Sequence, residues 1–331
     1  MSDRTIALHI FCSVKGGVGK STLATVLAKQ LAEQKRVPLL VDCDLTGTSL
    51  ADGLRLMAPR VPERADGTLD LGLAPTGEHH SLDETRRLRR RRRDTGTGER
   101  ITAPVYLNDI LGHPSEEDER GLRADAALWR HQKDDGVAYL PSSSIQYDVV
   151  KSLDWFNSPV GFDWARRALW TFHDLATHRS DLTDIVADLP PGTWGFSHQM
   201  LVVAATLHAQ KPLPPGYPPW DAGAIRWQAR AFLVTSQDDN DLLPALEFVA
   251  AHQRQLPTLA PLANRVTLSP NALREKARSL LGTAVSAAGL EERLTKVDHD
   301  RKLAEIFQVG DVSFDDDVRA HTQALWAEEG A

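Results

Sequence analysis

A glycine-rich segment near the N-terminus has the residue types and spacing to bind phosphate groups. Residues 13–22 read Ser-Val-Lys-Gly-Gly-Val-Gly-Lys-Ser-Thr and lie between a predicted strand and a predicted helix. Glycines allow a tight turn that brings backbone N–H groups close to phosphate oxygens, and a helix N-terminus adds positive potential there. We expect Lys20 to reach the β- and γ-phosphates of a nucleotide, Ser21 to hold Mg²⁺ through its hydroxyl, and Thr22 to reach the α-phosphate. The predicted phosphate site comprises Gly16, Gly17, Val18, Gly19, Lys20, Ser21 and Thr22.

The segment departs from the common GxxxxGK[ST] pattern in a specific way. Val14 stands where that pattern has its first glycine, and an additional lysine, Lys15, precedes the glycines. The run Lys-Gly-Gly-Val-Gly-Lys-Ser over 15–21 resembles the deviant Walker A loop of the MinD/ParA family of P-loop ATPases. The resemblance covers roughly residues 1–50 and 136–310.

Later segments continue this resemblance in order along the chain. Residues 42–47, Asp-Cys-Asp-Leu-Thr-Gly, resemble the family's switch I, and residues 188–192, Asp-Leu-Pro-Pro-Gly, resemble its Walker B and switch II segment. Asn264 ends a late predicted strand, where the family places an asparagine that reads adenine. Residues 297–305 resemble the terminal loop and helix of the family.

The resemblance implies roles for individual residues. Lys15 would cross the interface of an ATP-dependent homodimer and touch the phosphates bound by the other subunit. A second cation at that point stabilises the charge that develops during phosphoryl transfer. Asp44 would orient the attacking water. The implied catalytic residues are Lys15, Lys20 and Asp44, and the implied Mg²⁺ residues, partly through water, are Ser21, Asp42 and Asp188.

The elements that must position these residues begin with a strand, a helix and a second strand. This βαβ opening, followed by further alternation of strands and helices, predicts a doubly wound, mostly parallel α/β sheet of the P-loop NTPase type, in one domain over 1–331. The predicted strands are 6–12, 38–42, 136–141, 184–189, 231–236 and 259–267. The predicted helices are 21–34, 162–178, 197–208, 242–253, 271–281, 301–307 and 318–328.

Two segments break the alternation. Residues 52–135 lack clean periodicity and predict a large irregular insertion after the second strand, with a short ordered piece near 105–111. Seven arginines occur between Arg86 and Arg93, a run able to bind DNA, acidic lipid or an acidic partner, or to remain a solvated loop. Residues 209–227 form a proline-rich loop, with five prolines between 211 and 221.

Two alternatives to an ATPase stay open. Residues 295–298 spell Thr-Lys-Val-Asp, the motif by which related GTPases recognise guanine, and Asp298 could accept two hydrogen bonds from the base. The preceding residues 291–293, Glu-Glu-Arg, are too polar for the buried strand that normally presents this motif. The other alternative is a scaffold that binds nucleotide without significant turnover.

Composition excludes several other classes of function. The 331 residues are 42% hydrophobic and 25% charged, with a net charge of -7, which opposes a generally basic protein that coats nucleic acid. Two cysteines without clustered histidines support neither a disulfide framework nor a zinc site. The N-terminal segment lacks the layout of a signal peptide, and residues 311–331 hold six acidic residues and one arginine, which is not the pattern of a membrane anchor. The composition and the N-terminal segment lead us to expect a cytoplasmic protein. The resemblance implies a switch that binds ATP and Mg²⁺, forms a homodimer and acts on a protein partner or is activated by one.

Overall fold

A sheet of ten described strands organises the protein. The computed structural model describes residues 4–45, 50–65, 69–81, 84, 105–111, 123–157, 164–210, 225–254, 256–285 and 289–325. The strands are β1 (Arg4–Cys12), β2 (Pro38–Asp42), β3 (Leu56–Pro59), β4 (His79–His80), β5 (Trp129–His131), β6 (Ala138–Leu140), β7 (Asp184–Asp188), β8 (Ile225–Thr235), β9 (Leu259–Val266) and β10 (Thr295–Asp298). Their order across the sheet is β10-β9-β8-β1-β7-β2-β6-β5-β3-β4.

The larger part of this sheet is parallel. Every pairing from β10 to β6 is parallel, whereas β5, β3 and β4 add an antiparallel edge. All five residues of β2 and all five of β7 are buried, as expected for central strands that are covered on both faces. The predicted doubly wound, mostly parallel sheet is therefore confirmed.

Helices cover both faces. They are α1 (Lys20–Glu33), α2 (Leu50–Gly53), α3 (Leu107–Leu111), α4 (Gln146–Asn157), α5 (Trp164–His178), α6 (Phe196–His208), α7 (Asp239–His252), α8 (Pro270–Val285), α9 (Leu290–Arg293), α10 (Arg301–Val309) and α11 (Asp316–His321). Alternate residues of β1 enter different cores: Ile6, Leu8 and Ile10 pack on one face, and Phe11 packs with α1 on the other. No helix in the described ranges is long and apolar enough to span a bilayer.

The described parts of 52–135 are more regular than we predicted. The short strands β3, β4 and β5 lie in this segment and extend the main sheet, and α3 coincides with the predicted ordered piece. Strands of two to four residues are too short to produce a readable alternation. The limits of an insertion at 52–135 stay a prediction, and the arginine run at 86–93 and residues 211–224 of the proline-rich loop lie outside the described residues.

Several other boundaries differ from the prediction. Helix α4 was not predicted. Strand β8 begins at Ile225 rather than at 231, so the predicted proline-rich loop 209–227 was wrong for its last three residues, which pair with β1. In the described part of the predicted helix 318–328, only the first four residues are α-helical, because α11 ends at His321. A 3-10 turn follows at Gln323–Leu325. Residues 295–298 form the edge strand β10, directly after the short helix α9.

Candidate functional site

The loop between β1 and α1 has the backbone shape of a phosphate cradle. Gly17 and Gly19 have φ angles of 79° and 91°, the left-handed region that side-chain-bearing residues rarely adopt. Gly19 is the N-cap of α1, and no described side chain caps this helix. The first N–H groups of a 14-residue helix are therefore available to an anion, and the side chain of Lys20 lies in the first turn, 7% exposed.

A residue from β9 braces this loop. The side-chain amide nitrogen of Asn264 donates a hydrogen bond to the Val18 carbonyl oxygen at 2.8 Å, and Asn264 is 4% exposed. A side chain at Gly19 would collide with that amide nitrogen, so only glycine allows this close approach. Asn264 thus lies at the loop and contacts its backbone, and its predicted role in reading adenine stays a prediction.

The neighbouring Arg265 also contacts the loop and was not predicted. Its Nη1 atom donates to the Gly17 carbonyl oxygen at 3.3 Å. Arg265 has a φ of 57°, an uncommon conformation for a residue with a side chain. No local sequence signal marks this contact, because it depends on the position of β9 relative to the loop.

Three predicted acidic residues meet at the carboxyl ends of adjacent strands. Strand β7 lies between β1 and β2, and its last residue, Asp188, pairs with Phe11 on one side and Asp42 on the other. Asp42 and Asp188 are 1% and 2% exposed. The backbone N–H of Asp44 donates to Oδ1 of Asp42 at 3.1 Å, which holds Asp44 beside the pair. Ligands bind at this edge of parallel sheets.

The oxygen atoms at this edge fit a magnesium ion. Oδ2 of Asp42 accepts hydrogen bonds from the Ser142 hydroxyl at 2.7 Å and the Leu50 N–H at 3.0 Å. The Ser21 hydroxyl donates to the Asp188 carboxylate, whose Oδ1 atom is buried without a hydrogen-bond partner among the described residues. Mg²⁺ prefers carboxylate, hydroxyl and water oxygens. A buried carboxylate oxygen without a partner, next to a hydroxyl, is consistent with such a ligand set.

Burial makes this carboxylate pair weakly acidic. Burial, followed by the negative charge of Asp42, raises the pKa of Asp188 to about 7, while the Ser21 hydrogen bond and the Lys20 charge act in the opposite direction. Burial also raises the pKa of Asp42 to about 6. Two like charges in a poorly solvated site repel each other, so a cation bound between them would stabilise the ionised forms.

The two lysines of the loop occupy different environments. Lys20 is buried, whereas the Lys15 side chain is 48% exposed and its Nζ atom lies 3.0 Å from Oδ1 of Asp241. Lys15 also donates to the carbonyl oxygen of Asn240 at 2.5 Å, in the first turn of α7. The Ser236 hydroxyl donates to Asp241 at 2.8 Å and holds that carboxylate in place. In this monomer Lys15 is therefore held at the surface by its own chain.

The segment after β7 is attached to the phosphate loop. The Gly192 N–H donates to the Ser13 carbonyl oxygen at 2.9 Å. A Cβ atom on Gly16 would lie 3.7 Å from the Cβ atom of Pro191, so the two loops run close together at this point. The hydrogen bond thus holds the start of this segment beside the phosphate loop.

The Thr-Lys-Val-Asp motif lies further along the same edge of the sheet. Asp298 ends β10 and is paired with Val266 of β9. Its carboxylate forms an ion pair with Lys296 of the same motif, and Lys296 also donates to the Leu268 carbonyl oxygen at 3.3 Å. The side-chain hydrogen bond to Val18 of the phosphate loop comes from Asn264 and not from a residue of this motif.

A second group of potential metal ligands lies elsewhere, at Asp125, Asp174 and His178. Arg123 donates two hydrogen bonds to the Asp125 carboxylate, and Asp174 accepts one from the Ala124 N–H at 2.7 Å. His178 lies 3.0 Å from the Asp174 carboxylate. These contacts attach the 3-10 turn at Ala124–Ala127 to α5. The three side chains therefore have a structural role in holding these two elements together.

The raised pKa of Asp188 predicts a pH-dependent cost to the apo protein. An exposed aspartate titrates near pH 4, so the penalty for ionising Asp188 is full above pH 7 and decreases as the pH falls toward 4. We expect Asp188→Asn to raise the free energy of unfolding at pH 8 by about 1–3 kcal/mol, since one unit of pKa corresponds to about 1.4 kcal/mol. This gain should shrink steadily between pH 7 and pH 4.

Urea denaturation without nucleotide or Mg²⁺ measures this effect. Asp181→Asn is a control of opposite sign, since the Asp181 side chain is 54% exposed outside the site and the hydrogen bonds from Arg179 lower its pKa. Its substitution should therefore not raise stability at pH 8. An Asp188→Asn variant that is less stable than the wild type at pH 8, or a gain that does not change with pH, would contradict the prediction.

Comparisons with known proteins agree with this geometry. The chain matches the family model described as CobQ/CobB/MinD/ParA nucleotide binding domain over residues 9–299. Its fold is similar to that of the cell division ATPase MinD from Pyrococcus furiosus, at 15% identity and a TM-score of 0.55, over 96% of this chain and 95% of that chain. It is also similar to apo McdA from Cyanthece, at 13% identity and a TM-score of 0.55, over 97% of each chain.

A third similar structure was solved with a nucleotide analogue. It is a putative plasmid partition protein from Borrelia burgdorferi bound to AMPPNP, at 12% identity and a TM-score of 0.52, over 96% of each chain. At these identities the structural similarity shows the fold. No curated protein sequence matches the chain.

Proposed function

This chain belongs to the CobQ/CobB/MinD/ParA nucleotide-binding family, and from that premise we propose that it is a Mg·ATP-dependent switch ATPase. In this proposal the protein binds ATP, closes into a homodimer and hydrolyses ATP slowly to ADP and phosphate. The observation that carries it is the juxtaposition of three features at one sheet edge. These are a glycine-rich cradle, a buried carboxylate pair at Asp42 and Asp188, and an exposed second lysine at Lys15.

Phosphate binding is the first task of the site. The left-handed glycines expose the loop N–H groups, and the N-terminus of α1 contributes a partial positive charge. Lys20 would neutralise charge on the β- and γ-phosphates, and Thr22 would reach the α-phosphate. Asn264 would hold the loop in shape from β9 and read the adenine edge.

The acidic residues are proposed to hold the ion and the attacking water. Ser21 would bind Mg²⁺, with Asp42 and Asp188 supporting the ion or its waters. Bound Mg²⁺ supplies positive charge that offsets the negative charge of the phosphates. Asp44, whose backbone is bonded to Asp42, would accept a hydrogen bond from the attacking water and direct it at the γ-phosphorus.

Lys15 is proposed to act on the partner subunit. Its side chain is half exposed and its ammonium group is paired with Asp241, so Lys15 does not point into its own phosphate cradle. Release from Asp241 on dimer formation would let it reach the phosphates bound by the second copy. Hydrolysis would then depend on dimerisation, since the charge that stabilises the transition state comes from the other chain.

The output of such a switch is a surface that depends on the bound nucleotide. Similar structures include a cell division ATPase and a putative plasmid partition protein. We propose that this chain likewise controls the positioning, partition or assembly of a partner complex. The γ-phosphate can favour the dimer only through contacts that differ between the two states, and Lys15 and the switch carboxylates are the candidates.

Light scattering combined with phosphate release tests this proposal. We expect the molecular mass of the protein to double with ATP·Mg²⁺ and to return to the monomer value with ADP·Mg²⁺. The rate of phosphate release should rise more than linearly with protein concentration. Dimerisation without phosphate release would indicate a scaffold that binds ATP. A protein that stays monomeric with ATP at every concentration would contradict the switch.

We expect ATP·Mg²⁺ to bind more tightly than GTP·Mg²⁺, by about tenfold or more. Asn264 is buried against the phosphate loop, whereas the Asp298 carboxylate, which would read guanine, is paired with Lys296. Isothermal titration calorimetry with both nucleotides measures the difference, and Asp298→Ala should leave ATP affinity unchanged. If GTP binds as tightly as ATP or more tightly, and Asp298→Ala loses that GTP binding, the GTPase alternative is favoured.

A further inference from the structure

One aromatic side chain beside the phosphate loop is unusually exposed. Trp194 is 80% exposed, the largest value among the large apolar side chains in the described part of the chain. It lies in the segment between β7 and α6, six residues after Asp188. A fully hydrated indole costs free energy that burial would recover, and isolated exposed tryptophans of this kind are typical of interaction surfaces.

The backbone around Trp194 is built from residues that permit movement. Gly192 and Gly195 flank it with φ angles of 98° and 58°. A Cβ atom on Gly192 would lie 2.8 Å from the indole nitrogen, so the ring rests over this glycine and not in a pocket of its own chain. Most of the indole surface is therefore free of contacts with its own chain in the described residues and available to another surface.

The same segment is attached to the phosphate loop on both sides of Lys15. Gly192 is hydrogen-bonded to Ser13, and Pro191 lies against Gly16. Two contacts thus hold the segment that carries Trp194 beside the loop that carries Lys15. If Lys15 reaches the phosphates of a second copy, the surface that surrounds it must approach that copy, and Trp194 lies on the segment next to it.

We propose that Trp194 is an anchor of the ATP-dependent homodimer, packing against a second copy of this chain; this inference rests on the proposed function. Buried tryptophans contribute disproportionately to interface affinity. Because its segment follows Asp188 directly, closure of the acidic site on Mg·ATP would set the position of the indole. Trp194 is thus a positioning residue for the dimer and touches neither nucleotide nor metal.

Two substitutions test the anchor. Trp194→Ala should keep ATP affinity within about threefold of the wild type and weaken the ATP-bound dimer by about tenfold or more. Trp194→Phe should restore part of that loss, because a phenyl ring retains much of the apolar area. Val309→Ala is the control, since Val309 is a 59% exposed apolar residue at the end of α10, and this variant should dimerise as the wild type does.

The measurements are calorimetry for ATP affinity and light scattering across a concentration series with a non-hydrolysable ATP analogue and Mg²⁺. Fluorescence supplies an independent readout, because dimerisation should shift the emission to the blue and reduce acrylamide quenching in the wild type but not in Trp194→Phe. Seven other tryptophans are common to both proteins and cancel in this difference.

The outcomes separate this inference from the function on which it rests. A wild-type protein that stays monomeric contradicts the proposed dimerising switch itself. A wild-type dimer that is unchanged by Trp194→Ala, and whose formation leaves the Trp194 signal unaltered, overturns the anchor alone. Loss of ATP binding in both Trp194 variants would also overturn it, since the indole would then serve the nucleotide site and not the interface.

Discussion

Lys15→Ala should abolish most ATP hydrolysis while leaving ATP binding nearly intact, whereas Lys20→Ala should lose binding itself. The physical reason is the separation of the two ammonium groups. Lys20 is buried in the first turn of α1 at the phosphate loop, and Lys15 is half exposed and bound to Asp241. Only Lys20 is placed to contribute to the affinity of the monomer for phosphate.

The expected magnitudes follow from the two roles. Removing Lys20 deletes charge-assisted hydrogen bonds to phosphate, which corresponds to a loss of about 10- to 100-fold in affinity. Removing Lys15 deletes a charge that acts only in the closed dimer, and we expect hydrolysis to fall by roughly 10²- to 10³-fold. The ATP-bound dimer should also weaken, because Lys15 would no longer bridge to the partner's phosphates.

Calorimetry and single-turnover hydrolysis of the two variants provide the measurement. Asp241→Ala is a companion variant, since it removes the ion pair of Lys15, leaves the hydrogen bond to the Asn240 carbonyl oxygen, and should leave the cradle intact. Equal loss of ATP binding in both lysine variants would argue against a role of Lys15 across the interface. Normal hydrolysis in Lys15→Ala would argue against any catalytic role.

Asp44→Ala should accumulate as an ATP-bound dimer that hydrolyses ATP about 10²- to 10⁴-fold more slowly than the wild type, the range expected when a group that positions or deprotonates water is lost. The phosphate cradle and the carboxylates of Asp42 and Asp188 remain in this variant. The contact between Asp44 and Asp42 uses the backbone N–H of Asp44 and survives the substitution. Binding and dimerisation should therefore persist while turnover stops.

Light scattering after addition of ATP·Mg²⁺ detects this state as a doubled mass that persists for hours. The control is Asp181→Ala, because the exposed Asp181 pairs with Arg179 outside the site and its loss should leave turnover unchanged. An Asp44→Ala protein that binds ATP but stays monomeric would assign Asp44 a structural role in the segment after β2.

The phosphate loop and the parallel sheet could be predicted from local sequence. Glycines at fixed spacing, placed between an apolar strand and a helix, leave few other conformations for residues 13–19. Short apolar runs such as β2 and β7 are buried on both faces, and each is recognisable without knowledge of its neighbours. The helices α1 and α6 likewise follow from apolar residues at helical spacing.

The short strands β3, β4 and β5 could not be predicted in this way. They have two to four residues each, and pairing with the edge of an existing sheet stabilises them more than their own sequence does. The helix α4 was missed. The first half of β8 was missed although its buried and exposed residues alternate as in a half-buried strand, because the predicted proline-rich loop 209–227 extended over its first residues.

The sequence by itself determined which residues form the cradle, the acidic segments and the second lysine. Only the tertiary structure decided how they interact. The register of β7 with β2 places Asp188 beside Asp42, and burial of that pair raises both pKa values. The contacts of Asn264 with Val18 and of Lys15 with Asp241 join residues more than 200 positions apart. Such contacts depend on the packing of the whole sheet, and no local pattern of residues encodes them.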